Sequence, residues 1–261
     1  MKFATVGDNC IDDYEALGLC YAGGNPVNVA VYLRRLGEEA SYTGAVGDDS
    51  YGKVILNGLK SKDVDISHVK VLPGSTAITK IELVNGERVF KDYNEGVLQD
   101  FKLSEEDVAF LCEHDMIISG IWGMIENDLP KLKFKGVPIA FDFSDQPNHP
   151  IVEKAIDHVT YAFFSSEEDD SPELREFIKK MHARGPKMVI VTLGDYGSIC
   201  FDGKEYYKFG IISCPVVDTM GAGDSYIAGF LRGIMRGEDI PTSMKMGAEN
   251  SSITIGYQGA W

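Results

Sequence analysis

The sequence predicts an α/β fold: a mostly parallel central sheet covered by helices on both faces, with a small β layer beside it. Three observations predict it. Short apolar runs alternate with stretches of helical period along the chain. The runs at residues 116–119, 139–143, 161–164 and 188–192 lack polar alternation, which suits strands covered on both faces. Asn85-Gly86 interrupts this rhythm with a dipeptide that accepts the positive φ angles of a type I′ hairpin.

In chain order, residues 2–6 form a short apolar strand ended by Gly7-Asp8. After Gly23-Gly24, Val27, Ala30, Val31 and Leu33 recur at helical spacing, and Gly37 closes that helix. Residues 41–46 read as a strand that stops at Gly47-Asp48-Asp49, and residues 50–59 as a helix. Residues 77–84 and 87–93 are the arms of the Asn85-Gly86 hairpin. Ser104 caps a helix whose Asp107, three residues on, completes a capping box, with Leu103 placed to staple onto Val108. Ser171 caps and Pro172 opens a helix over 172–184. Asp202-Gly203 turns the chain into a strand at 206–209. Ile227, Phe230, Leu231, Ile234 and Met235 mark the apolar face of a late helix.

The chain has 261 residues, enough for one large domain spanning 1–261. Forty acids against 25 lysines and arginines give a net charge of −15. Nucleic-acid binding wants a basic face, so that class is excluded, and an anionic membrane surface is excluded for the same reason. The first six residues are too short an apolar stretch for a signal peptide, and no run approaches the roughly 18 apolar residues of a membrane span. Five scattered cysteines without a C-x-x-C pair point to reduced thiols and a cytoplasmic location, and no zinc-ligand spacing occurs. Small molecules are the expected partners.

Two segments carry chemistry. In Asp218-Thr219-Met220-Gly221-Ala222-Gly223-Asp224-Ser225, small residues precede the late helix and leave its first N–H groups approachable, which makes an anion site. A carboxylate beside such a site suits a base that deprotonates a hydroxyl while the N–H groups hold a phosphoryl group. The second segment is Gly23-Gly24-Asn25-Pro26-Val27-Asn28-Val29-Ala30, where paired glycines admit a close backbone approach and Asn28 offers donor and acceptor. Alone, each reads first as a turn with a helix cap. No G-x-G-x-x-G follows the first strand and no G-x-x-x-x-G-K-[ST] occurs, which sets aside the dinucleotide-binding and P-loop folds.

Together, in this order and some 190 residues apart, the two segments resemble the signatures of the ribokinase-like sugar kinases (phosphofructokinase-B type). The first is carried by Gly23-Gly24, Asn28-x-Ala30, Gly37 and Gly47; the second by Asp218-Thr219-x-Gly221-Ala222-Gly223-Asp224 with Ala228-Gly229-Phe230. The resemblance covers the whole chain and implies a ribokinase-like fold with a lid from residues 11–22 and 76–97, through which relatives also dimerise. It implies Asp224 as general base and Gly221, Ala222 and Gly223 as the anion hole for the γ-phosphate of ATP. Asp12 would hold sugar hydroxyls, with Gly23, Gly24 and Asn28 completing that wall. Thr192, Gly194 and Gly197 would form the nucleotide-binding turn, joined by Asn250. Glu168 would be linked to magnesium, and Asp218 and Met220 to a monovalent cation, potassium being the candidate. One departure stands out: Ser165 replaces the asparagine of the family's Asn-x-x-Glu motif.

Shorter stretches, Gly7-Asp8-Asn9-Cys10-Ile11-Asp12, 92–97, Ile121-Trp122-Gly123, 141–145 and Gly259-Ala260-Trp261, resemble the family branch that phosphorylates fructosyl-lysine. This implies ATP-dependent phosphorylation of the 6-hydroxyl of fructoselysine, with Tyr93 and Trp122 at the substrate. The alternatives are a kinase for another sugar, such as fructose or ribose, or for a different fructosyl amino acid, and a non-catalytic sugar-binding protein on the same scaffold.

Overall fold

The computed structural model describes residues 1–14, 18–84 and 87–261. Strand β1 (Lys2–Val6) has apolar side chains for both faces, Phe3 on one and Ala4 and Val6 on the other, and so lies inside a sheet. The chain leaves that sheet for a hairpin of β2 (Cys10–Tyr14) and β3 (Leu19–Gly23), then returns through α1 (Asn25–Arg35) to β4 (Glu39–Gly47). After α2 (Ser50–Ser61) and β5 (Val69–Leu72), the arms β6 (Ile78–Val84) and β7 (Glu87–Asn94) pair antiparallel. The Asn85-Gly86 turn expected between them lies outside the described residues.

From α3 (Glu105–Leu111) onward the alternation is regular: β8 (Met116–Gly120), α4 (Leu129–Phe134), β9 (Ile139–Asp142), α5 (Pro150–Ala155), β10 (Tyr161–Ser165), α6 (Pro172–His182) and β11 (Met188–Thr192). The Ser104–Asp107 capping box closes as the spacing requires, and Ser171 accepts from the Leu174 N–H. The chain finishes with β12 (Ser198–Phe201), β13 (Tyr206–Phe209), α7 (Ala222–Met235) and α8 (Ile240–Thr254).

Among the described residues, nine strands form the central sheet in the order β13-β12-β11-β10-β9-β8-β1-β4-β5, parallel from β11 to β5 and antiparallel at β12 and β13. The period-two alternation of each strand sends its apolar residues to two cores. Met116, Ile118, Ala140 and Phe163 pack on one face, and Ile117, Phe141, Ala162 and Phe164 on the other. A second sheet of four strands, in the order β3-β2-β6-β7, is built from the two excursions of the chain. No helix of the described residues is long and apolar enough to cross a membrane.

Candidate active site

In an open parallel sheet, ligands bind beyond the carboxyl ends of the strands. Here a cavity of about 200 Å³ opens there. Its walls come from Asp142 at the end of β9, Phe164 and Ser165 of β10, Thr192 of β11, and Gly221 to Asp224 at the start of α7.

The start of α7 is shaped by Gly221, whose φ of 73° is left-handed. A Cβ on Gly221 would stand 2.2 Å from the Tyr32 hydroxyl, which donates to the Ala260 carbonyl at 2.6 Å. Ala222 spends its N–H on the Thr219 carbonyl at 3.2 Å, while the N–H groups of Gly223 and Asp224 belong to the helix's first turn and point out of it. Helix dipole and free donors together favour an anion at this spot.

Asp224 sits half-buried in that turn. Asn25 Nδ2 donates to its Oδ1 and Asn28 Nδ2 to its Oδ2, both at 2.7 Å. The Asn25 amide also donates to Asp142 at 3.0 Å, and Trp261 Nε1 donates to Asn28 Oδ1 at 2.8 Å. This last bond fixes which end of the Asn28 amide faces Asp224. Burial pushes the Asp224 carboxyl up, and the two amide donors oppose the push. Burial, and then the charge of Asp224, push Asp8 and Asp142 each up to about 7. Three carboxyl groups therefore share one enclosure.

The remaining expected residues divide. Gly24 caps α1 with φ 105°, and a Cβ there would strike Asn9 Cα at 2.7 Å. Gly23 leaves room for the Asp12 carboxylate, whose Oδ2 would lie 2.8 Å from a Cβ on it. Asp12 is buried on β2 and accepts from Cys10 Sγ at 3.6 Å. Tyr93 and Trp122 are about half exposed, the latter edge-on to His149 at 5.6 Å between ring centres. Thr192 lines the cavity, whereas Gly194 and Gly197, with φ of 53° and 92°, form the turn after β11 and stand outside the lining.

Asn250 is not brought to the cavity. Its Nδ2 donates to the Ser225 carbonyl at 2.8 Å and its Oδ1 accepts from Arg35 at 2.7 Å, so both ends of the amide hold α1, α7 and α8 together. Glu168 is exposed in the turn after β10, outside the lining. Asp218 accepts from the N–H groups of Met220 and Gly259, both at 2.9 Å, and from Gln258 at 3.1 Å, while Met220 is buried with Tyr14, Ile81 and Ala260. That pattern pins the C-terminal tail to the turn before α7.

Asn25, Asp8, Asp142 and Trp261 complete the enclosure without having been singled out as site residues. Asp8, Asp142 and Trp261 stand in stretches that carried the narrower resemblance, but no periodicity says that those stretches meet.

Residues 16–261 match the profile of the pfkB family carbohydrate kinases. The chain is 45% identical over 258 residues to the fructoselysine 6-kinase of Escherichia coli (strain K12), covering 99% of this chain and 98% of that protein. It is 37% identical over 265 residues to the fructosamine kinase FrlD of Bacillus subtilis (strain 168), covering 100% and 93%. The ribokinase-like fold is shared with Arabidopsis thaliana ribokinase complexed with ribose and ATP: TM-score 0.89, 21% identity, 99% of this chain and 93% of that one. Salmonella enterica aminoimidazole riboside kinase superposes with a TM-score of 0.79 at 17% identity, over 100% and 95% of the two chains. With a family profile that runs to the last residue and relatives aligned over nearly their full length, the chain belongs to the pfkB family of carbohydrate kinases.

Proposed function

We propose that the protein transfers the γ-phosphate of ATP to the 6-hydroxyl of fructoselysine, giving fructoselysine 6-phosphate and ADP. The observation that carries the chemistry is a half-buried carboxylate, Asp224, in the first turn of α7 beside free N–H groups and facing a cavity. The acceptor follows from two relatives, the fructoselysine 6-kinase and the fructosamine kinase, that match this chain over nearly its whole length.

In the reaction, Asp224 takes the hydroxyl proton as the oxygen attacks the γ-phosphorus, and the bond to the β-phosphate oxygen breaks to release ADP. The first-turn N–H groups, kept approachable by Gly221, Ala222 and Gly223, hold the transferring oxygens. Asp12, with Gly23, Gly24 and Asn28, holds the sugar. Thr192, with the Gly194–Gly197 turn, holds the nucleotide.

Among the described residues no three histidine, cysteine or acidic side chains converge as metal ligands. Magnesium takes one or two carboxylates and fills its shell with phosphates and water. Glu168 would be the carboxylate that holds it, and the ion would neutralise phosphate charge. Asp218 already accepts three N–H donors, so a potassium ion held there and by the Met220 carbonyl would share its carboxylate with them. The four-stranded sheet would act as the lid that excludes water, and its edge strands β3 and β7 would be where two copies pair.

ADP release with MgATP tests the acceptor. The value of kcat/KM for fructoselysine should exceed those for fructose and ribose by about 100-fold, or some 2.7 kcal/mol of transition-state discrimination. Preference for a plain sugar would discard the acceptor while leaving Asp224 as base.

Trp261→Phe removes the donor that fixes the Asn28 amide. Losing one neutral hydrogen bond should lower kcat by about 5- to 10-fold with little change in KM for ATP. An unchanged kcat would mean that the tail only packs.

A further inference from the structure

The surroundings of Asp224 hold more negative charge than phosphoryl transfer to a neutral hydroxyl uses. One carboxylate is needed as base, and the incoming nucleotide is itself an anion. Yet Asp8 and Asp142 stand beside Asp224, and among the described residues no lysine, arginine or histidine forms an ion pair with any of the three. Asp224 and Asp142 are at least partly satisfied by amide donors, and the backbone N–H groups of Asn25 and of Asp8 itself reach the Asp8 carboxyl. Asp8 is 7% exposed, and its Oδ1 has no hydrogen-bond partner. A buried carboxylate oxygen left in that state is costly unless a cation arrives to take it.

The turn that carries Asp8 is rigidly held. The Tyr42 hydroxyl donates to the carbonyls of Gly7 at 2.8 Å and Asp8 at 3.2 Å. Asn9 donates to the Tyr42 hydroxyl at 2.8 Å and to the Ala45 carbonyl at 2.7 Å. Gly7 packs against Gly123, since a Cβ on it would fall 2.5 Å from Gly123 Cα, so the segment bearing Trp122 lies alongside. The titratable groups that face Asp8 are Cys10 on β2, Tyr42 on β4, Tyr93 on β7, Asp142 on β9 and Asp224 on α7, none of them a cation.

We propose that Asp8 is an ammonium subsite: its carboxylate pairs with the protonated secondary amine that joins the sugar to the lysine side chain. The assignment rests on the fructoselysine reading and says which residue tells that substrate from a plain sugar. A fructosyl amine differs from fructose at C1, where it carries a positive charge and N–H donors in place of a neutral hydroxyl. A desolvated carboxylate beside that position rewards the amine with a charge-assisted hydrogen bond and gives fructose much less. Binding needs Asp8 ionised. Burial and the Asp224 charge push it up to about 7, so acid weakens the amine substrate selectively.

The test compares fructoselysine with its ether analogue, in which oxygen replaces the amine nitrogen, on the wild type and Asp8→Asn between about pH 6 and pH 8. The wild type should favour the amine by about 10- to 100-fold in KM, and the preference should grow as pH rises through 7. Asp8→Asn should lose most of that preference and its pH dependence, with a smaller loss on the ether. A comparable loss on both substrates, or a preference retained in the variant, overturns the role of Asp8 while leaving the acceptor standing. A wild type that treats amine and ether alike also overturns the subsite, whereas one that rejects fructoselysine overturns the acceptor itself. If Asp8→Asn does not fold, the wild-type ratio decides, and a ratio flat with pH sinks the subsite.

Discussion

Asp224→Asn is expected to lower turnover by about 10²- to 10⁴-fold, the usual worth of a positioned general base, while ATP still binds. The substitution is sterically mild, and its hydrogen bonds can be followed. Asn28 must keep donating, because Trp261 holds its Oδ1 at 2.8 Å, so the new amide turns its oxygen toward Asn28. Its NH2 then faces Asn25, whose Oδ1 has no partner and can accept once that amide flips, at the cost of the bond Asn25 now donates to Asp142. The site keeps its shape but has lost its proton acceptor. Near-normal turnover in the purified variant would refute the assignment.

The same change should raise stability, and the sign depends on pH. Asp8 and Asp142 lie at about 7 in the folded protein against an ordinary value of 3.8. A carboxyl raised on folding binds more protons in the native state, so its contribution is fullest below about pH 4 and is lost as pH rises through 7. Above that, all three carboxylates repel one another, and removing one charge relieves the other two. A gain of about 1–2 kcal/mol is expected near pH 8, seen as a Tm higher by some 2–8 °C, and fading toward pH 5. Loss of activity with gain of stability is the mark of a group held against its own preference for function.

How much of this was legible in the sequence depends on the range of the interaction. Strands such as β8 to β11 declare themselves by uninterrupted apolar runs, and α3 by a capping box within four residues, because those signals are local. Helix α8 does not: Thr242, Ser243, Asn250, Ser251 and Ser252 interrupt any apolar stripe, and its stability comes from packing on α7 rather than from amphipathicity. The proposed base and anion site were readable as candidates because Gly221 to Asp224 are contiguous. The enclosure was not, since Asn25 reaches Asp142 across 117 residues and Asp224 across 199, and Trp261 reaches Asn28 across 233. Asn250 shows the converse: a structural task that its sequence context does not announce. A polar residue late in the chain was expected at the nucleotide, but in a helix pair it serves to satisfy a buried carbonyl and an arginine.

Gly221→Ala should be strongly damaging, and Gly223→Ala shows why the two glycines exist for different reasons. At Gly221 the backbone is left-handed, which costs an L-residue about 1–2 kcal/mol, and the new Cβ meets the Tyr32 hydroxyl at 2.2 Å. Tyr32 is buried and bonded to Ala260, so overpacking adds about 1–3 kcal/mol, and the first turn of α7 shifts with it. Moving the anion hole by a fraction of an ångström should cost about 10²-fold in kcat. At Gly223 a Cβ meets nothing within 4 Å and the position is exposed, so alanine should leave Tm unchanged or raise it slightly. Its cost should appear only when a phosphoryl group must approach the backbone, as a fall of about 10-fold or more in kcat/KM for ATP. Equal stability with unaltered kinetics in Gly223→Ala would show that the phosphate does not approach there. Gly221 would then be conformational alone, and its loss of activity would track its loss of stability.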